Sequence, residues 1–161
     1  MSTIKRGAGN GFTLIELLVV IGILGILLAI VLIAINPAAQ FAQANNTSRT
    51  NDVNTILNAV HQYGADHKGV LTPLGLTDTP TQIASGGTAS AVCALLVPDY
   101  VSLFPVDPAV NNGIALTETD CEPADTFSTG YVISQDTEGR VTVTATAEAV
   151  RGVTPTIEVK R

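Results

Sequence analysis

Glu16 is the single ionisable side chain between Phe12 and Ile35, a run of 24 residues otherwise made of Phe, Leu, Ile, Val, Ala, Gly and one Thr. A carboxylate carried into a membrane helix costs about 2.5–3.5 kcal/mol at the helix centre on insertion scales, and less near an end. A residue kept there needs a partner or a function. The chain has two cysteines, Cys93 and Cys121. An even pair in a translocated chain suggests a disulfide; the other reading is two unpaired thiols, one buried and one in a loop. Bridged, they would close a loop worth about 3–4 kcal/mol in the chain-entropy model. His61 and His67 are six apart, not the i,i+4 spacing of a helical metal pair, and surface histidines are the better reading. The acidic loop Glu118-Thr-Asp-Cys-Glu122 lacks regular oxygen-ligand spacing for Ca²⁺ and reads as a solvated loop. Asn45-Asn46-Thr47-Ser48 holds overlapping N-x-S/T acceptors but reads as polar helix surface. No phosphate loop, G-x-S-x-G or H-E-x-x-H is present, and nothing places a Ser or Cys nucleophile beside a histidine. The expectation is a protein that is not an enzyme, with no metal site and no cofactor.

The element that must position Glu16 is a long apolar helix. Leu17 to Ile35 are 19 residues without charge, and 19 to 24 helical residues span roughly 28–36 Å, matching a hydrocarbon core of about 30 Å. Lys5 and Arg6 precede the run and no basic residue follows until Arg49, which keeps the amino terminus in the cytoplasm and sends the rest outside. Two plainer readings compete. A cleaved secretory signal has an A-x-A site at Ala42-Gln43-Ala44, but the run exceeds the usual 7–15 apolar residues, by the general rule for such signals. An unprocessed signal anchor leaves Glu16 unexplained. Net charge is −6, from 8 basic and 14 acidic residues; without Lys5 and Arg6 it is −8. With no basic cluster beyond Lys160-Arg161, sequence-independent nucleic-acid binding is not expected.

Gly11-Phe12-Thr13-Leu14-Ile15-Glu16-Leu17-Leu18-Val19-Val20, behind a short basic leader, resembles the processing site of type IV prepilins and secretion pseudopilins. The resemblance covers about 30 residues of the 161. It implies a leader, 1–11, cleaved between Gly11 and Phe12 by a prepilin peptidase that also methylates the new amino group of Phe12. The apolar helix, 12–35, is then retained and becomes the core of a helical filament. Glu16 would pair with the Phe12 amine of a neighbouring subunit. Bringing an ammonium and a carboxylate together in an apolar phase offsets both desolvation costs and sets axial register, while cohesion comes from the Leu, Ile and Val surface. Gly22 and Gly25 could allow close helix approach, or be the scattered glycines common in membrane helices.

The implied partners are the peptidase, copies of the chain itself, membrane lipid before assembly, and the assembly platform and ATPase of a pilus or secretion machine. The implied location is the inner membrane, single-pass, then an extracytoplasmic filament. The alternative is a minor pilin or pseudopilin serving adhesion, DNA uptake or secretion, or a membrane-anchored binding domain; Glu16 favours incorporation along a filament. One departure stands out. Many such pilins have a proline inside the apolar run, where Leu32, Ile33 and Ala34 stand here, and the first proline is Pro37.

Asn36 suits an N-cap and Pro37 a first helical position, so one helix could end and another begin there, or Pro37 could kink a continuous one. Residues 36–68 read as an amphipathic continuation: Val53, Ile56, Leu57, Val60 and Tyr63 recur at helical spacing. Residues 44–51 have poor helix propensity and would be its weakest part. The head, 69–161, reads as a Gly/Thr/Pro/Ser-rich loop over 69–90, a helical turn at Ala91–Val97 and then strands. Tyr100 to Pro108 carries a weak resemblance to the proline-aspartate-proline segment that leads into the sheet of pilin-like chains. Gly130–Gln135 and Arg140–Ala147 are predicted strands joined at Asp136-Thr137-Glu138-Gly139, and Val153–Lys160 adds a third. The fold class expected is α+β: a long amino-terminal helix, membrane half plus amphipathic half, packed on a small antiparallel head.

Overall fold

The structure, a computed structural model, describes residues 11–122 and 125–161. The chain divides into two units, residues 1–38 and 39–161. The first holds α1, Leu14–Ile35, in which every residue is exposed. The helix is apolar all round, with a mean hydropathy of 3.4 in its most apolar window, and its 22 residues extend about 33 Å.

Of the two possibilities at Asn36-Pro37, the structure takes the first. α1 stops at Ile35, Asn36 adopts a left-handed conformation with φ 47° and ψ 79°, and α2 begins at Pro37 and runs to Asp66. Asparagine tolerates that region better than other non-glycine residues. Proline has no N–H to leave unpaired at the first helical position.

In the second unit one core is built on α2. Val53, Ile56, Leu57, Val60 and Tyr63 are buried against Ile83, Tyr131, Ile133, Val141, Val143 and Ile157 of the sheet. Among the described residues four strands form one antiparallel sheet in the order β1 (Thr81–Ala84), β2 (Ser128–Gln135), β3 (Val141–Ala145), β4 (Ile157–Lys160). The predicted hairpin is β2–β3, its turn held by the Gly139 and Asp136 amides donating to Asp136 and Arg140 carbonyls at 3.0 Å each. Two expectations are corrected. Residues 69–90 are not all loop, because Thr81–Ala84 pairs with β2. The last strand starts at Ile157, not Val153, which instead pairs locally with Val150. A short helix, α3 (Ala91–Leu96), carries Cys93, which is bonded to Cys121 with Cα atoms 5.4 Å apart.

Gly130 inside β2 has φ +80°, and a Cβ there would lie 2.7 Å from the Cβ of Asp107. Both facts demand glycine. Gly130→Ala should destabilise the second unit by about 1–3 kcal/mol from the backbone conformation alone, read as a lower denaturation midpoint. An unchanged midpoint would mean that residue 130 can leave the left-handed region and that the Asp107 side chain gives way without cost.

Candidate functional site

The amino-terminal site is a helix start. Thr13 is extended and caps α1, its Oγ1 accepting the Glu16 N–H at 3.3 Å. The Leu17 N–H donates to the Thr13 carbonyl at 3.2 Å. Thr13-Leu-Ile-Glu16 is therefore the sequence of a capping box. Glu16 occupies the third helical position, where the exposed N–H groups of the first turn favour a negative charge. The cap at Thr13 is legible in the sequence only as the Thr-x-x-Glu spacing. Gly11, Phe12 and Glu16 lie together on this one turn and its lead-in, all exposed. Phe12 itself is 85 % exposed.

A second constellation, between α2 and the head, was not foreseen. The buried face of α2 continues toward its start as Ala39, Ala42, Asn46 and Arg49. Arg49 is 2 % exposed. Its Nε donates to Asp107 Oδ2 at 2.7 Å and its Nη2 to Asp107 Oδ1 at 2.9 Å, a two-pronged pair. Nη2 also donates to Glu148 Oε1 at 2.8 Å, and Nη1 to Asn46 Oδ1 at 2.9 Å. Asn46 Nδ2 donates to the Glu148 carbonyl at 2.8 Å and Asn46 Oδ1 accepts the Glu148 N–H at 2.9 Å. Asn45 Nδ2 reaches Glu148 Oε1 at 3.0 Å. Asn45 and Asn46, the acceptor asparagines noted in the sequence, thus have their side chains committed within the head.

Electrostatics follow from this packing. The hydrogen bond to Asp107 dominates in holding the Arg49 guanidinium charged. Burial pushes Asp107 up, but Arg49 and the Ala109 N–H outweigh it and hold the carboxyl below the usual range. Glu148 is also lowered, by Asn45 and Arg49. Asp52, one turn on, is pushed up mainly by burial although Tyr131 donates to it at 2.6 Å.

The other candidates remain apart. His67 stacks on Tyr63 with ring centroids 4.0 Å apart, and His61 is exposed. In the acidic loop, Asp120 accepts the Thr117 N–H and hydroxyl at 2.8 and 2.6 Å. Among the described residues no group of three or more His, Cys, Asp or Glu is placed to hold a metal ion.

An apolar helix of membrane length, entered through a capped turn that carries its one carboxylate, fits a membrane-anchored prepilin. A family model described as the prokaryotic N-terminal methylation motif matches residues 8–32, a stretch that includes most of α1. The amino-terminal segment is that of a type IV pilin- or pseudopilin-like prepilin. Comparison with curated proteins and with solved structures yields no match.

Proposed function

We propose that this chain is a structural subunit of a type IV pilus-like filament. Residues 1–11 are the leader, 12–35 the membrane and filament-core helix, 36–68 its amphipathic continuation and 69–161 the head. The prepilin sits in the inner membrane with Lys5 and Arg6 inside and the head outside. A prepilin peptidase cleaves after Gly11 and methylates Phe12. Glu16 then receives the Phe12 amine of a neighbouring copy, and the assembly platform and ATPase move the subunit from lipid into the filament.

The observation that supports this reading most is the coincidence of the methylation motif with a helix that buries none of its own residues. Such a surface requires lipid, other copies of itself, or each in turn. The capped first turn adds to it, because cleavage after Gly11 leaves the new amine immediately ahead of the cap, within a turn of Glu16. Mass spectrometry of the protein recovered from membranes and from sheared filaments is the direct test. The expected mature chain begins at an N-methylated Phe12. A chain beginning at Met1, or at Asn45 after the A-x-A site, would overturn the proposal.

A further inference from the structure

Within the second unit, α2 is held in two different ways. From Val53 to Tyr63 it is fixed by large apolar side chains in the core. From Ala39 to Arg49 the buried positions are two alanines, Asn46 and Arg49, while Phe41 is 71 % exposed. The earlier stretch therefore rests on polar bonds from Asn45, Asn46 and Arg49 to Asp107 and Glu148, residues on two separate segments.

Its own helical preference is low. Gln43–Asn51 contains three asparagines, two threonines and a serine, which compete with the helix for backbone groups. Thr47 and Thr50 donate their hydroxyls to the Gln43 and Asn46 carbonyls, both at 2.9 Å. Asn54 and Thr55 bond back to Thr50 and Asn51 in the same way, at 2.7 and 2.9 Å. Back-bonding of this kind by Ser and Thr loosens and bends helices.

We propose that Gln43–Asn51 is a separately opening segment of α2, latched in helical form by Arg49 against Asp107 and Glu148. Opened, nine residues can lengthen from about 14 Å as helix to about 30 Å as extended chain. The latch thus sets the length of chain between the apolar helix and the packed core. Stability is not uniform in a fold, and segments with few buried apolar contacts open at lower free energy than the core.

The charges facing Arg49 give the pH dependence. Asp107 and Glu148 are carboxylates with lowered folded-state pKa, so the latch is complete above the unfolded carboxylate range of about 3.9–4.3 and is lost as pH falls through the lower folded values. Asp52, raised, protonates first. Its contribution has the opposite sign, because neutralising it relieves repulsion with Asp107 and leaves the latch closed. Tyr131, whose hydroxyl bonds Asp52, is raised by burial and stays neutral.

The test is hydrogen–deuterium exchange, read by mass spectrometry on the full chain in detergent micelles. In the unaltered protein at neutral pH, amides 45–51 should exchange at least tenfold faster than amides 57–63 of the same helix. Arg49→Met should raise exchange in 45–51 at least a hundredfold and leave 57–63 within threefold. Glu148→Gln, which keeps side-chain size and removes one of the two carboxylates, should give a smaller rise confined to the same amides, and it is the variant to read if Arg49→Met does not fold. Lowering the pH below about 4 should widen the ratio between the two stretches in the unaltered chain. Equal exchange of both stretches in the unaltered protein, or an equal rise along all of α2 in Glu148→Gln, would overturn the proposal.

Discussion

Glu16→Ala should leave insertion and cleavage intact and lower filament yield by roughly two orders of magnitude. The proposed pair joins the amine of one subunit to the carboxylate of the next in surroundings that exclude water. With the carboxylate gone, the ammonium enters those surroundings alone. Insertion scales put a lone charge at the centre of a membrane helix at about 2.5–3.5 kcal/mol, and each 1.4 kcal/mol is about tenfold in an equilibrium. The variant helix is more apolar than the original, so it should enter the membrane at least as well. Two readings together make the test: the mass of the membrane-bound protein, expected to begin at methylated Phe12, and the yield of sheared filaments. Normal yield with normal processing would mean that Glu16 acts only on its own chain, as the third residue of the capped turn led by Thr13. In that case Thr13→Ala, which removes the cap, should likewise leave the yield normal.

The second large effect is expected from the cysteines. Replacing Cys93 and Cys121 together by alanine should lower the stability of the head by about 3–4 kcal/mol, from the 28-residue separation in the chain-entropy model. Native domains hold about 5–15 kcal/mol in total, so this is a large share. The closed loop contains the paired Phe104 and Leu116 and also Asp107, which accepts from Arg49 on α2. The bond therefore restrains the segment on which the polar anchoring of α2 depends. Alanine is the right replacement, because both positions are buried and serine would leave a hydroxyl there. Denaturant titration of the detergent-solubilised variant measures the loss. An unchanged midpoint would mean that packing alone restrains the 94–120 segment.

These two residue sets differ in how they could be read. The amino-terminal site is local. Phe12 and Glu16 lie within five residues, so the resemblance over Gly11–Val20 could be read from one short stretch, and the apolar run behind them is contiguous and legible from composition. The stripe from Val53 to Tyr63 and the hairpin after Gly130 were legible for the same reason, since each shows its period within about ten residues. Extending the stripe backward by alternating steps of three and four lands on Arg49, Asn46, Ala42 and Ala39. That regularity was the available signal for a buried arginine, and the change from apolar to polar residue types concealed it.

Tertiary structure decided the rest. Thr81–Ala84 looks like loop by composition and becomes a strand only because β2 supplies its hydrogen bonds from some 50 residues away. Gly130 is an ordinary strand glycine in one dimension; the Cβ of Asp107, 23 positions earlier, is what leaves no room for a side chain. The cysteine spacing was compatible with two free thiols as well as with a bond, and the placement of α3 against the Thr119–Cys121 turn brought the sulfurs together. Arg49 is buried because Asp107 and Glu148, 58 and 99 residues further on, converge on its guanidinium. The sequence alone determined which stretch is long and apolar enough to cross a membrane and which carboxylate that stretch carries, because hydrophobic length and cap spacing are local properties. Which polar side chains lie inside the head depended on partners distant in the chain, and only the fold brings those within hydrogen-bonding reach.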